Sequence, residues 1–304
     1  MRAELCTALI ARADKPNMVF LTGDLGFMAL EPLRARMGKR FINCGVAEQN
    51  MVSVAAGLAQ EGMEVWVYSI APFCYARPFE QIRNDICFHD LPVRLLGNGG
   101  GYGYGVMGPT HHALEDYGIL LTLPGMTVYA PAFNEDVDEV VTLAGSNPGP
   151  CYVRLGRGEL PAGARAPGYA PWRRLAEGDG PVVVMSGPLA GSVLGILSTL
   201  GECRPEVWLA SEMPFLRAPL PAALIERIAA SGRLAAVEEH VAHGGLGAML
   251  AQELLTRGIA LLGYDHLFAR GYPSARFGSQ AYHRRDSGLD PEAIRDSILK
   301  LARS

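Results

Sequence analysis

Short apolar runs alternate along the chain with longer stretches in which apolar residues recur every three or four positions. In the first half the runs fall at residues 17–24, 40–45, 63–69, 92–97, 126–131 and 151–156, and their length and β-branched content predict strands. Between them, segments 48–60, 79–88, 113–123 and 134–144 carry the helical period. Strands apolar on both sides, joined mostly by helices, predict a parallel sheet covered on each face. From 157 to 173 neither period survives; Gly, Ala and Pro161, Pro167 and Pro171 mark a linker. The alternation then restarts, with strands expected at 181–187, 206–210, 233–240 and 259–264 and helices running to about 200, near 221–229, at 245–255 and at 291–302.

The expected fold class is therefore α/β: a doubly wound parallel-sheet domain at 1–160, a linker at 161–174 and a smaller α/β domain at 175–304. A length of 304 residues agrees with two domains at about 150 residues each. Charged residues are only 19% of the chain and 27 basic against 31 acidic side chains leave a net charge of -4. A nucleic-acid binder needs a basic footprint, so that class is excluded. No apolar run approaches the roughly 20 residues of a membrane span, and the opening MRAELCTALIARADKP lacks a signal core. Six cysteines without a CxxC pair fit a reducing compartment. A cytoplasmic protein is expected, with no membrane partner.

Two segments stand out for chemistry. In NCGVAEQN, a strand ends, Gly45 permits a tight turn and a helix opens at Glu48, at the strand end where α/β sheets place ligands. Glu48 reads either as an N3 carboxylate serving free helix amides with Gly45 as N-cap or as a catalytic carboxylate. In LLGNGGGYGYGVMGPTHHALEDYG, seven glycines between Gly97 and Gly108 preclude a regular element, and the loop ends in His111 and His112 at a helix entrance. It lacks both the dinucleotide fingerprint and the Walker lysine. His111 reads as a ligand-facing or a capping histidine. Zinc at His240 and His243 is disfavoured because no cysteine pair or HExxH accompanies them.

GVAEQN at 45–50, SIAPFCYARPFEQIRND at 69–85, GPTHHALED at 108–116, LPGMTVYAP at 123–131 and AAVEEHVAHGGLG at 235–247 together resemble the thiamine diphosphate-dependent transketolase family. The nearest form is the separate C-terminal subunit of split, two-chain members. The resemblance spans nearly the whole chain and implies a pyrimidine-binding domain followed by the family's C-terminal domain. It further implies an N-terminal transketolase subunit carrying a GDG...N motif, which binds the diphosphate and most of the Mg2+ or Ca2+ coordination; here Gly23-Asp24 is followed by Leu25. A hetero-oligomer with two copies of each chain is the expected active particle, with no metal ligand on this chain.

By the same resemblance, Glu48 meets the cofactor's aminopyrimidine, where a shared proton favours the imino tautomer. Phe73, or Cys74 one residue along, lies against the ring, with Phe79 and Arg77 beside it. Arg77 and Glu80 resemble subunit-contact or site-lining positions. His111 matches the histidine that reaches substrate, and His112 stands where the family has Gln. Arg154 matches an arginine for a phosphorylated acceptor, and Asp24 lies near the substrate channel. Two departures bear on substrate: Val106-Met107 replaces an acidic pair, and Gly99 replaces a histidine. The implied activity is two-carbon ketol transfer from a ketose to an aldehyde, with an atypical acceptor that is less dependent on phosphate. Alternatives are a decarboxylating acyl or ketol transferase acting on a 2-oxo acid, and a non-catalytic subunit.

Overall fold

The computed structural model describes residues 1–26 and 28–303. The first half forms β1 (Met18–Thr22), β2 (Phe41–Asn43), β3 (Glu64–Ile70), β4 (Val93–Asn98), β5 (Thr127–Tyr129) and β6 (Cys151–Leu155). The helices among them are α1 (Arg2–Arg12), α2 (Glu31–Met37), α3 (Glu48–Gln60), α4 (Ala71–Tyr75), α5 (Phe79–Gln81), α6 (Asp116–Leu120) and α7 (Val137–Ser146). The second half adds β7 (Trp172–Ala176), β8 (Val182–Met185), β9 (Glu206–Ala210), β10 (Glu212–Met213), β11 (Arg233–Val237) and β12 (Gly263–Leu267). Its helices are α8 (Leu189–Ile196), α9 (Ala222–Ser231), α10 (Leu246–Thr256), α11 (Gln280–Ser287) and α12 (Pro291–Arg303).

One sheet runs β10-β5-β6-β4-β3-β1-β2 and the other β12-β11-β8-β9-β7. Within the first, every pairing among β1–β6 is parallel. The alternation in β3 shows why both faces must be covered: Val65 and Val67 join the core beneath α3, whereas Trp66 and Tyr68 join the opposite core with Leu5, Leu9, Val137 and Val140 of α1 and α7. Strand β10 comes from the second half yet pairs antiparallel with β5, tying the two sheets together.

Helices α2, α4 and α11 and strand β10 lie where the sequence pattern predicts no element, the helix expected at 113–123 is cut to α6, and three further departures have a clear physical reason. Strand β7 begins inside the expected linker and pairs antiparallel with β9; Arg173 and Arg174 interrupt its apolar signal, and the buried Arg173 ion-pairs with Asp136 at 2.7 Å. Strand β12 lies later than the apolar run at 259–264, because Ile259 and Leu261 pack on the core beside α10 while the ladder with β11 starts at Gly263. Segment 79–88 starts as α5 and widens into a π-helical turn over Ile82–Cys87. Cys6, Cys74, Cys87 and Cys151 are buried, and all six cysteines are free. Among the described residues no helix is long and apolar enough to cross a membrane.

Candidate active site

Strand β2 ends at Asn43, whose Oδ1 accepts the Gly45 amide at 2.8 Å and whose Nδ2 donates to Asp24 at 3.0 Å. Gly45 takes a φ of 72°, turning the chain into α3. The N-cap is Ala47, not Gly45, and Glu48 is the first helical residue without a capping bond. Its buried carboxylate instead accepts from Arg77 Nη1 at 2.9 Å through Oε1. Oε2 has no hydrogen-bond partner among the described residues. The helix-capping role is thus not the one the fold uses.

Arg77 emerges between α4 and α5 with its side chain 45% exposed. Its guanidinium carbon lies 3.8 Å from the centre of the Phe73 ring, so one planar cation covers both the carboxylate and the aromatic face. The Phe73 ring meets the edge of His111 at a centroid distance of 5.2 Å. Cys74 is fully buried, and burial pushes its thiol up to about 12; Phe73 is therefore the open member of that pair. The structure brings Glu48, Arg77, Phe73 and His111 into one continuous row. Phe79 packs against the core beneath α3, Glu80 is exposed, and Asp24 is an exposed neighbour on the β1 side of the Gly45 turn.

His111 Nδ1 is hydrogen-bonded to Thr110 Oγ1 at 2.9 Å. On its other side the Tyr104 ring is tilted at 5.7 Å, and the Tyr104 hydroxyl accepts from Asn98 Nδ2 at 2.7 Å. Tyr104 lines a cavity of about 340 Å³ together with Arg2, Asn98, Gly99 and Arg157. Sequence pattern alone does not reveal this cavity. The one signal for it is Gly156-Arg157-Gly158, placed just past the end of β6 at the carboxyl edge of the sheet.

Besides Phe79 and Asp24, two further expected site residues, Arg154 and His112, are not brought to this row. Arg154 is 5% exposed; its Nε is within 2.8 Å of Asp116 Oδ2, and Nη2 donates to the Ala113 and Glu239 carbonyls. A guanidinium held this way ties β6 to the glycine loop's far end at Ala113 and to the second sheet at Glu239. His112 is likewise buried, with Nδ1 2.8 Å from the Tyr272 hydroxyl and Nε2 2.8 Å from the Gly105 carbonyl. Desolvation brings its pKa down to about 4, against the opposing hydrogen bond to Gly105. Both residues fit structural support.

The second sheet grips the glycine loop. Glu239, buried after β11, accepts the Tyr102 amide at 2.7 Å and bonds Gln280 and Arg284 of α11 at 3.0 and 2.8 Å. The Tyr102 hydroxyl donates to the Gly271 carbonyl at 2.7 Å. His240 is buried and stacks on Tyr117 at 3.9 Å. Among the described residues there is no group of three or more His, Cys, Asp or Glu that suits a metal.

A parallel-sheet unit presenting a carboxylate, an aromatic face and a histidine along one rim, locked to a second α/β unit, defines a two-sheet α/β module. The chain belongs to the transketolase family: residues 4–162 match its pyrimidine binding domain. It is similar to one of the subunits of the apulose-4-phosphate transketolase of Phocaeicola vulgatus, with 31% identity covering 81% of this chain and 80% of that protein. It is also similar to 1-deoxy-D-xylulose-5-phosphate synthase 2 of Geobacter sulfurreducens, at 33% identity over 88% of this chain but 43% of that protein. A solved split gene transketolase, described as an inactive beta4 tetramer, superposes with a TM-score of 0.82 at 27% identity, covering 99% of this chain and 97% of the other. The chain is a transketolase-like subunit of the C-terminal type, and its family depends on thiamine diphosphate.

Proposed function

We propose that this chain supplies the pyrimidine and substrate sides of a thiamine diphosphate-dependent ketol transferase, acting in the cytoplasm with an N-terminal-type subunit. The observation that carries this reading is the row Glu48, Phe73 and His111 along one rim. The donor set fits the cofactor's aminopyrimidine: a buried carboxylate with one free oxygen for a ring nitrogen, and an aromatic face for a flat heterocycle. It does not fit the diphosphate and its divalent metal, for which the described residues offer no acidic cluster. That half is assigned to the partner, in an assembly of two copies of each chain as the simplest two-fold closure.

When bound, the cofactor supplies the electron sink for breaking and forming the carbon–carbon bond. Glu48 holds or shares a proton at Oε2 with the ring, while Phe73 fixes the ring plane. His111, oriented through Nδ1 by Thr110, leaves Nε2 to hydrogen-bond or exchange a proton with a substrate hydroxyl. The Arg2 and Arg157 side chains supply cations at the neighbouring cavity, which supports an anionic, phosphorylated end on the substrate. This shifts the expectation drawn from Gly99: cations are present, but they come from other residues. The phosphate named in the P. vulgatus relative agrees with that assignment. Val106 and Met107 are 72% and 53% exposed and give the loop an apolar lip where an acidic hydroxyl reader was expected, which favours an acceptor with fewer polar groups there.

The test is Glu48→Gln in the chain reconstituted with an N-terminal-type transketolase subunit and thiamine diphosphate. Exchange of the thiazolium C2 proton, followed by NMR after rapid quenching, is expected to fall by about two orders of magnitude or more. An unchanged exchange rate would sink the assignment.

A further inference from the structure

The glycine loop contains a side chain exchange between two positions five residues apart. Gly99 follows β4 with a φ of 81°, and the Tyr104 ring lies directly against its α-carbon. A Cβ built at Gly99 would collide with Tyr104 Cδ2 and Cε2. The space that a residue at 99 would fill is therefore taken by a phenol reaching back from 104. Glycine at 99 is required for that approach, because any larger residue evicts the ring.

The phenol is placed for recognition. Its oxygen accepts from Asn98 Nδ2 at 2.7 Å, which leaves its own proton to donate elsewhere. Burial, the leading influence, raises the pKa and holds that proton on, against the Asn98 hydrogen bond and then the charges of Arg2 and Arg157. One edge of the ring borders the cavity lined by Arg2 and Arg157, and its tilted face meets His111 at 5.7 Å. Tyr104 thus spans from the histidine to the cation pair.

We propose that Tyr104 is a specificity-determining residue whose hydroxyl donates to an oxygen of the phosphoryl group held by Arg2 and Arg157. This rests on the assignment of that cavity to the substrate's anionic end. Two guanidiniums supply charge without fixing where along the cavity the phosphate stops; a phenol tethered to Asn98 fixes one oxygen at a set distance from His111. A neutral hydroxyl or an uncharged aldehyde in the same place gains far less from that donor.

The experiment uses the full chain and inorganic phosphate as the probe, titrated by 31P NMR, with Tyr104→Phe and Arg157→Ala. Tyr104→Phe keeps the ring that fills the Gly99 space but takes the acceptor from Asn98 Nδ2, so the fold should be kept, by circular dichroism, with a modestly lower thermal midpoint. Its phosphate dissociation constant is expected to rise about tenfold, the weight of one hydrogen bond to a charged group. In the reconstituted enzyme the same variant should lower the preference for a phosphorylated acceptor over its unphosphorylated analogue about tenfold, with the loss falling on KM rather than kcat. If Tyr104→Phe binds phosphate as wild type does while Arg157→Ala loses it, the Tyr104 proposal is overturned and the cavity assignment stands. If wild type binds no phosphate, both are overturned.

Discussion

Arg77 occupies both groups assigned to the cofactor's pyrimidine, so removing it separates an occupant from a support. Nη1 sits 2.9 Å from Glu48 Oε1 and the guanidinium carbon 3.8 Å from the Phe73 centroid. A hydrogen bond to a charged group contributes about 1.5–3 kcal/mol, and an exposed cation–π contact about 0.5–1 kcal/mol. With the side chain 45% exposed, solvent screening reduces the combined value to about 1–2 kcal/mol. A ring that must displace this guanidinium should therefore bind Arg77→Ala about 5–30-fold more tightly than wild type. Arg77→Lys retains the charge without the plane and should fall between. The assay is isothermal titration of the full chain with the hydroxymethyl aminopyrimidine half of thiamine, which omits the diphosphate that the partner is proposed to bind. Circular dichroism checks that the variants fold, with a lower midpoint expected for Arg77→Ala because Glu48 loses its cation. Equal or weaker binding by Arg77→Ala refutes the reasoning, since it would make Arg77 part of the ring's cradle.

Asp116→Ala strands Arg154, which is buried and keeps no other anionic partner, only two carbonyl groups and the Tyr117 ring among the described residues, and should cost about 3–5 kcal/mol in urea unfolding; a loss under about 1 kcal/mol would contradict the buried-pair assignment. His112 remains neutral in the fold, with its pKa drawn from 6.5 to about 4 by burial. The unfolded chain takes up that proton first, so stability is retained above about pH 6.5 and lost as pH falls toward 4, by a total on the order of 3 kcal/mol. His112→Gln should flatten the unfolding free energy across that window, and an unchanged slope would count against the assignment.

Glu48 and His111 lie on segments with their own local signature, whereas Phe73 and Arg77, which join them in the row, were indicated only by the family resemblance. Helix α3 shows small and apolar residues at helical spacing, and the glycine loop declares itself by composition. What the sequence pattern could not supply was direction. Arg154 and Arg157 are three residues apart, but Arg154 lies within β6, where both faces are covered and a charge must be paired internally. Arg157 follows the strand's end and opens on the edge. Likewise Arg2, at the start of α1, lines the same cavity as Arg157 because α1 packs beside α7 on that side of the sheet. No period links residues so far apart in the chain. The N3 expectation for Glu48 failed locally: the helix starts two residues later than Gly45 allows, and the carboxylate turns to Arg77.

The glycine loop gains little from its own residues, since seven glycines between Gly97 and Gly108 add conformational freedom and almost no packing. Its order comes from the second sheet. Glu239 fixes the Tyr102 amide while being fixed by Arg284 and Gln280, and Tyr272 and the Gly105 carbonyl hold His112 immediately beside His111. The ring of His111 is oriented by Thr110, but the loop backbone that carries it is held in part by residues more than a hundred positions away that do not touch it. This explains why His112, a buried neighbour without an open face, is part of the machinery only as an anchor. It also makes α11 the element through which changes in the second unit reach the row: loosening Glu239 frees Tyr102, and with it the loop that carries both Tyr104 and His111.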